Sequence, residues 1–184
     1  AVSSRGVAAA NAMFDFLDGK DAIPGRGGKA AVTMAGAVKG WQKALEISHE
    51  WQAGLPLSAL LDTAISQAEW GIEVTQSLSD ASLKTFDDLA SDPNFDQFLI
   101  KGKALKKGKI IKLTQLAETL KQLTERGLED FYTGEIAEKL AADLRAAGSP
   151  ITLQDFHDYR AEIFTPLSVE TIKGKLYNFA ATTT

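Results

Sequence analysis

The sequence predicts an α+β fold that is mainly α-helical, with a strand near the start and a β-hairpin at the C-terminal end. Apolar residues recur at three- and four-residue spacings in four segments, which is the period of a helix. Short runs without that period occur near the start, with β-branched residues and no charge, and again after Arg160. With 184 residues, of which 45% are apolar and 24% charged, we expect a single domain over residues 1–184.

The first strand is predicted within residues 30–36, part of the uncharged run AAVTMAGAV, with Gly36 near the change from strand to helix. Before it, Gly19–Gly28 is rich in glycine and proline, which predicts a loop. The opening AVSSRGVAAANAMF is small and alanine-rich, which fits a short strand followed by an irregular segment. It has no basic start leading into a sustained apolar stretch, so we do not interpret it as a signal peptide.

Four helices are predicted, near residues 37–50, 57–70, 114–126 and 134–147. Pro56 fits the first turn of the second helix, where the missing N–H of proline costs nothing. Glycines follow the last three helices, at positions 71, 127 and 148, and glycine is the usual residue after a helix end.

The third helix has the clearest amphipathic pattern. Thr114 is predicted as its N-cap, and Leu116, Leu120 and Leu123 as its core stripe. Trp41, Trp51 and Trp70 lie on or beside the first two helices, so we expect core packing rather than ligand stacking for all three.

Ser77–Gln97 is expected to be helical but less regular, with an interruption at Asp92-Pro93. Thr152 is placed to cap a short helix over Leu153–Tyr159, and Asp155 three residues later completes a capping box.

The hairpin is predicted over residues 168–180. Its two β-like runs, Ser168–Ile172 and Lys175–Phe179, are joined around Lys173-Gly174.

The charge of the chain argues against two classes of partner. A net charge of −4 and a pI near 5.2 do not favour nucleic acid or an anionic membrane surface. The basic run at Lys101–Lys109 alternates lysine with glycine and contains no aromatic residue, which predicts a solvated loop. No apolar run approaches the roughly twenty residues that span a bilayer.

Reactive side chains are scarce. The absence of cysteine excludes disulfides, thiolate ligands and thiol catalysis. His49 and His157 lack the spaced partners of a metal motif, and no nucleotide-binding or serine-nucleophile motif occurs, so no metal or cofactor is predicted. The residues by themselves indicate a helical domain and assign it no reaction.

Several stretches, in order, resemble the γ-glutamyltranspeptidase family of N-terminal-nucleophile hydrolases. AAVTMAGAVKGW resembles a strand-to-helix segment of the family, although Ala35 stands where proline is common. LPLSALLDTAISQAEWGIEV resembles the segment that follows. The strongest match covers Leu113–Gly148, with the phrase FYTGEIAEKL, and continues through ITLQDFHDYRAEIFTPLS at Ile151–Ser168.

The resemblance implies that the chain is the C-terminal part of a large subunit within an αββα fold. It implies a precursor that cuts itself ahead of an internal threonine, which then becomes the nucleophile of a small subunit. No catalytic residue is therefore expected in this chain, and the terminal Thr182, Thr183 and Thr184 are not interpreted as nucleophiles. The implied partners are that small subunit and a small γ-glutamyl or related amide, such as glutathione.

Arg5 is the one substrate-binding residue that the resemblance implies, because it falls about where the family has an arginine for the substrate's α-carboxylate. A guanidinium suits that role because it can bind both carboxylate oxygens. The sequence departs from the family at Gly6, where an acidic residue is usual, and at Ala8-Ala9, where Ala-Pro is expected. These departures favour, as an alternative to γ-glutamyl substrates, an amidohydrolase acting on another small acid amide.

Two further alternatives do not involve catalysis by this scaffold. One is a helical interaction module that retained the family's scaffold without its activity, and the other is a helical adaptor unrelated to the family. Downstream sequence with a processing threonine would separate the enzyme from the interaction module.

Overall fold

A computed structural model describes residues 1–13, 16, 22–90 and 93–179. Positions 19–21 of the predicted first loop, Asp92 of the predicted interruption, position 180 of the predicted hairpin and Thr182–Thr184 lie outside these ranges. No helix in the described ranges has both the length and the apolar character needed to cross a bilayer.

The described residues form eight α-helices, and the four predicted from the spacing of apolar residues are confirmed. The helices are α1 Ala37–Glu50, α2 Leu57–Trp70, α3 Gln76–Lys84, α4 Phe86–Ala90, α5 Thr114–Arg126, α6 Asp130–Thr133, α7 Glu135–Ala146 and α8 Leu153–Asp158. Gly28–Ala30 and Pro93–Phe98 are 3₁₀ turns. The less regular helical region expected around Ser77–Gln97 is thus divided between α3, α4 and the second 3₁₀ turn.

Within the described ranges, six short strands pair as three separate antiparallel ribbons. They are β1 Val2–Ser3 with β4 Glu162–Ile163, β2 Ile72–Glu73 with β3 Ile110–Ile111, and β5 Leu167–Thr171 with β6 Gly174–Asn178. The last pair is the predicted hairpin, and the first confirms a short strand at the opening of the chain. The mainly helical α+β class is therefore correct.

The main hydrophobic core lies where α1, α5, α6, α7 and α8 meet. Its largest fully buried side chains are Tyr132, Phe156 and Tyr159, and Leu120 and Leu123 of α5 reach it as predicted. Leu61 and Ile65 of α2, with further partly buried side chains, pack against this core.

A smaller core joins β2, β3 and the basic loop before β3. Val74, Leu105 and Ile111 are its buried side chains. Two serines of α3 hold the Leu105 peptide: Ser79 Oγ donates to its carbonyl at 2.9 Å, and Ser82 Oγ accepts from its N–H at 2.9 Å. The lysines of the run are exposed, as predicted for a solvated loop, while Leu105 anchors it.

The strand predicted within residues 30–36 is wrong. Residues 28–30 form a 3₁₀ turn, and only Thr33 pairs, in an isolated bridge with Ala8. Two hydrogen bonds flank that bridge, from Ala9 N–H to the Val32 carbonyl and from Met34 N–H to the Val7 carbonyl, each 2.9 Å. The segment does pair with the start of the chain, but the 3₁₀ turn on one side and α1 on the other leave room for one bridge.

The prediction that the three tryptophans pack in the core is also wrong. Trp41, Trp51 and Trp70 are 45%, 78% and 71% exposed. Trp51 follows the last residue of α1, and Trp70 ends α2 with its ring under the Lys112 ammonium, 5.7 Å from the ring centre. Helical period places these residues on or beside helices, but it does not show which helix faces are covered by other elements.

The α5 prediction needs two corrections. Thr114 is the first helical residue rather than the N-cap, which is Leu113 and makes no side-chain cap. Leu116 is exposed, because the buried face of α5 is formed by Ala117, Leu120 and Leu123. The helix therefore begins without a side-chain cap from its N-cap residue.

The start of the chain packs against the N-terminus of α1 at two glycines. A Cβ on Gly36 would lie 1.8 Å from the Ser4 carbonyl oxygen and 2.3 Å from the Tyr159 hydroxyl oxygen. A Cβ on Gly40, one turn later, would lie 2.6 Å from Ser4 Oγ. Real side chains do not approach so closely, so glycine is required where Ser4 passes over α1.

Gly36→Ala is expected to destabilise the protein by about 1–3 kcal/mol or more, because the added methyl group overlaps main-chain atoms that cannot move aside cheaply. The matched control is Gly54→Ala, since no atom lies within 4 Å of a Cβ built there. Denaturant unfolding of both variants measures the difference. Equal midpoints for the two variants would show that the start of the chain does not pack on α1 as described.

Candidate functional site

Arg5, the predicted substrate-binding residue, lies just after β1, and β1 is tied to the segment that follows α8. Val2 pairs with Ile163 and Ser3 with Glu162. The amino group of Ala1 donates to the Phe164 carbonyl at 2.7 Å, and the Phe164 N–H donates to the Ala1 carbonyl at 2.8 Å. Residues 1–3 and 162–164 therefore meet immediately before Arg5.

A tyrosine pair lies directly beneath this segment. Tyr159 is 2% exposed, and its hydroxyl donates to the Arg5 carbonyl at 2.8 Å. Its ring stacks on that of Tyr132, with centroids 5.6 Å apart and planes inclined by 21°. The Tyr132 hydroxyl donates to the Ala35 carbonyl at 2.8 Å and accepts from the Lys39 N–H at 2.9 Å. The pair thus links the Arg5 main chain to the start of α1.

Both phenols remain protonated donors at physiological pH. Burial raises the pKa of Tyr132 to about 12, against the opposing effect of the Lys39 N–H bond. Burial also raises the pKa of Tyr159, and the nearby negative charge of Glu162 adds to the effect. Both hydroxyl bonds to carbonyls therefore persist through the neutral range.

An ion pair supports Tyr132 from the side. The Lys39 ammonium binds the Glu129 carboxylate at 2.5 Å and lies 4.9 Å from the centre of the Tyr132 ring. Burial alone would raise the pKa of Glu129, but hydrogen bonds from Lys39 and Gln42 and the Lys39 charge lower it below its usual range. Glu129 is therefore ionised at neutral pH.

Arg5 is exposed and lines a cavity of about 340 Å³ with the segment after β4. The other lining residues are Ala1, Glu162, Phe164, Thr165, Pro166 and Phe179. Most of that wall is apolar, with a guanidinium and a carboxylate as its charged side chains. A cavity of this size, with an arginine in a mostly apolar wall, can accept a small carboxylate.

Asp155 holds the chain at Ala10, a few residues after Arg5. Its Oδ1 accepts from the Ala10 N–H at 2.8 Å, and its Oδ2 accepts from the Thr152 N–H at 2.7 Å. The Thr152 hydroxyl accepts from the Asp155 N–H, which completes the predicted capping box of α8. Burial alone would raise the pKa of Asp155, but the hydrogen bonds from Thr152 and Ala10 lower it.

Helical period and motifs did not single out the residues that hold Arg5 in place. Tyr132, Tyr159, Lys39 and Glu129 carry no recognisable spacing, because their hydrogen bonds join positions 90 to 154 residues apart. The available signal is that Tyr132 and Tyr159 lie inside the two segments that carry the strongest resemblance. No group of three or more metal-ligating side chains occurs within the described ranges.

The family described as Gamma-glutamyltranspeptidase has a sequence model that matches residues 1–184. Oxamate amidohydrolase proenzyme from Klebsiella pneumoniae is 39% identical over 100% of this chain and 35% of its own length. Glutathione hydrolase-like YwrD proenzyme from Bacillus subtilis is 33% identical over 86% of this chain and 30% of its own length. The chain thus spans about a third of these curated relatives.

Among solved structures, the crystal structure of cephalosporin acylase from Bacillus halodurans superposes with a TM-score of 0.82. It is 28% identical, and the match covers 96% of this chain and 34% of the acylase chain. The described fold is therefore similar to that of about a third of the acylase chain.

Asp155→Asn is expected to destabilise the protein by about 1 kcal/mol at neutral pH, because an amide cannot accept both main-chain N–H bonds. The folded-state pKa of Asp155 lies below the ordinary 3.8, so the stability due to its carboxylate is present above that value. This stability is lost as the pH falls through the folded-state pKa. The difference between wild type and variant should therefore shrink below about pH 4.

Denaturant unfolding across that pH range measures this difference, and Asp143→Asn, at an exposed position of α7, is the matched control. A stability difference independent of pH would show that the Asp155 charge does not hold the Ala10 segment.

Proposed function

This chain belongs to the gamma-glutamyltranspeptidase family, and on that premise we propose that it is part of the large subunit of an enzyme that cleaves amides of carboxylate-bearing substrates. Its own contribution is to bind the substrate carboxylate through Arg5. The observation that carries this proposal is the placement of Arg5, exposed at a cavity while its main chain is bonded to buried Tyr159.

The chemistry of Arg5 fits a carboxylate. A guanidinium stays charged at every physiological pH and presents paired N–H groups that match the two oxygens. The apolar side chains of Phe164 and Pro166 in the cavity wall lower the local polarity, which strengthens a charged hydrogen bond. Glu162 in the same wall carries the opposite charge, so a substrate with both an ammonium and a carboxylate would also find a partner for each.

The reaction itself requires a nucleophile from outside the described residues. We propose that it is the N-terminal threonine of a small subunit, as the family resemblance implies. Its hydroxyl attacks the amide carbonyl, the amine leaves with a proton, and water or an acceptor amine then takes the acyl group. The role of this chain is to hold the acyl part of the substrate in place while the amide bond breaks.

The β5–β6 hairpin supports the presence of such a partner. Every residue of both strands is exposed, and Leu167, Val169 and Leu176, which share one face, are 57%, 57% and 61% exposed. A two-stranded hairpin is marginally stable alone in water. We propose that the small subunit covers this apolar face, consistent with relatives named as proenzymes.

Two substrate classes fit the proposal. A γ-glutamyl amide such as glutathione is favoured by the family description and by the glutathione hydrolase-like relative. A shorter acid amide is favoured by the 39% identity to an oxamate amidohydrolase and by Gly6, which replaces the acidic residue usual in the family. Oxamate is itself an amide that carries a carboxylate, so substrates of both classes offer Arg5 a carboxylate to bind.

Arg5→Ala in the full-length protein is expected to raise KM for carboxylate-bearing amides by about 30-fold or more, because a charged contact of this kind is worth about 2–5 kcal/mol. Self-cleavage should proceed normally, since it involves no substrate carboxylate. Arg5→Lys should also raise KM, because an ammonium cannot bind both oxygens in one plane. Steady-state kinetics with a γ-glutamyl anilide and with oxamate measures these effects and separates the two substrate classes.

The matched control is Arg145→Ala, which removes an exposed arginine on α7. It should leave KM unchanged for both substrates. An unchanged KM in Arg5→Ala would reduce Arg5 to a surface charge and would contradict the proposed role of this chain.

A further inference from the structure

We propose that Tyr159 is a positioning residue for Arg5, holding the Arg5 peptide so that the guanidinium is presented to the cavity. This inference rests on the proposed function of Arg5. Tyr159 does not contact the substrate in this proposal. It acts through the hydrogen bond from its hydroxyl to the Arg5 carbonyl, 2.8 Å long and spanning 154 positions of sequence.

The Arg5 peptide lies between two anchored points. On one side Ser3 pairs with Glu162, and on the other the Val7 carbonyl accepts from the Met34 N–H at 2.9 Å. Between them the chain passes over α1, and the Tyr159 hydroxyl bonds it at Arg5. This bond therefore sets the orientation of the peptide plane that joins Arg5 to the next residue.

Gly6 makes that restraint necessary. A Cβ at this position would lie 2.2 Å from the Met34 carbonyl oxygen, so the close approach to residue 34 requires glycine. Glycine, however, leaves its own backbone dihedrals less restricted than any other residue does. The residue that permits the packing also frees the Arg5–Gly6 peptide to rotate, and a hydrogen bond to the Arg5 carbonyl opposes that rotation.

Tyr159 is itself rigid enough for this role. Its ring is buried and stacks on Tyr132, whose hydroxyl is held by the Ala35 carbonyl and the Lys39 N–H. A Cβ on Gly36 would lie 2.3 Å from the Tyr159 hydroxyl oxygen, so the chain just before α1 packs closely against that atom. The Tyr159 hydroxyl is therefore held in place, and its hydrogen bond holds the Arg5 carbonyl in turn.

The test compares Tyr159→Phe, Arg5→Ala and the double variant in the full-length, self-processed protein. For a carboxylate-bearing amide, Tyr159→Phe should raise KM about 3- to 10-fold, the range of one hydrogen bond, with kcat within about twofold of wild type. For the neutral carboxamide analogue of the same substrate, KM should not change. The KM of the double variant should be no higher than that of Arg5→Ala alone, because both substitutions act on the same contact with the carboxylate.

The matched control is Tyr177→Phe, which removes the hydroxyl of an exposed tyrosine on β6 and should leave KM unchanged for both substrates. Replacing Tyr159 with 4-aminophenylalanine keeps an N–H donor on a ring of the same shape. Its KM for the acid substrate should lie above that of wild type and below that of Tyr159→Phe. This variant also provides the readout if Tyr159→Phe does not fold.

Three outcomes would overturn the proposal in distinguishable ways. A normal KM in Arg5→Ala would contradict the proposed function of Arg5, and with it the positioning role of Tyr159. A raised KM in Arg5→Ala with a normal KM in Tyr159→Phe removes the positioning role alone. Equal effects of Tyr159→Phe on the acid and the neutral substrate would show that Tyr159 acts only through overall stability.

Discussion

The stacked pair of Tyr132 and Tyr159 is the interaction on which the site depends. Each ring is fully buried in the main core, and each hydroxyl donates to a main-chain carbonyl in a different segment. A buried phenol that lacked its partner would cost about 1–3 kcal/mol, so the pair stabilises only one relative placement of α1, α8 and the start of the chain. Arg5 is part of that placement because its carbonyl is one of the two acceptors.

Local features of this architecture could be predicted, and long-range ones could not. The helical period located α1, α2, α5 and α7, and the spacing of Thr152 and Asp155 predicted a capping box that the structure confirms. Each of these depends on residues within a few turns of one another. The predicted strand near residue 33 failed because its partner, near Ala8, allows a single bridge, which is a property of the whole packing.

The tryptophans and the Arg5 site both show that local sequence patterns do not reveal contacts between distant parts of the chain. Periodicity places Trp41 and Trp70 on helices but does not say which faces other elements cover, and both are exposed. Arg5 was identified through the family resemblance alone, and its supporting tyrosine lies 154 positions away. A hydrogen bond between such distant positions produces no local sequence pattern. The link between Arg5 and the core is therefore visible only in the structure.

We propose above that Arg5, held by Tyr159, binds a substrate carboxylate. A crystal structure of the full-length protein with a carboxylate-bearing substrate analogue would show whether it does. We expect both carboxylate oxygens within about 2.7–2.9 Å of the Arg5 guanidinium, with the Arg5 carbonyl still accepting from the Tyr159 hydroxyl. A carboxylate bound by other side chains, with Arg5 directed into solvent, would contradict it.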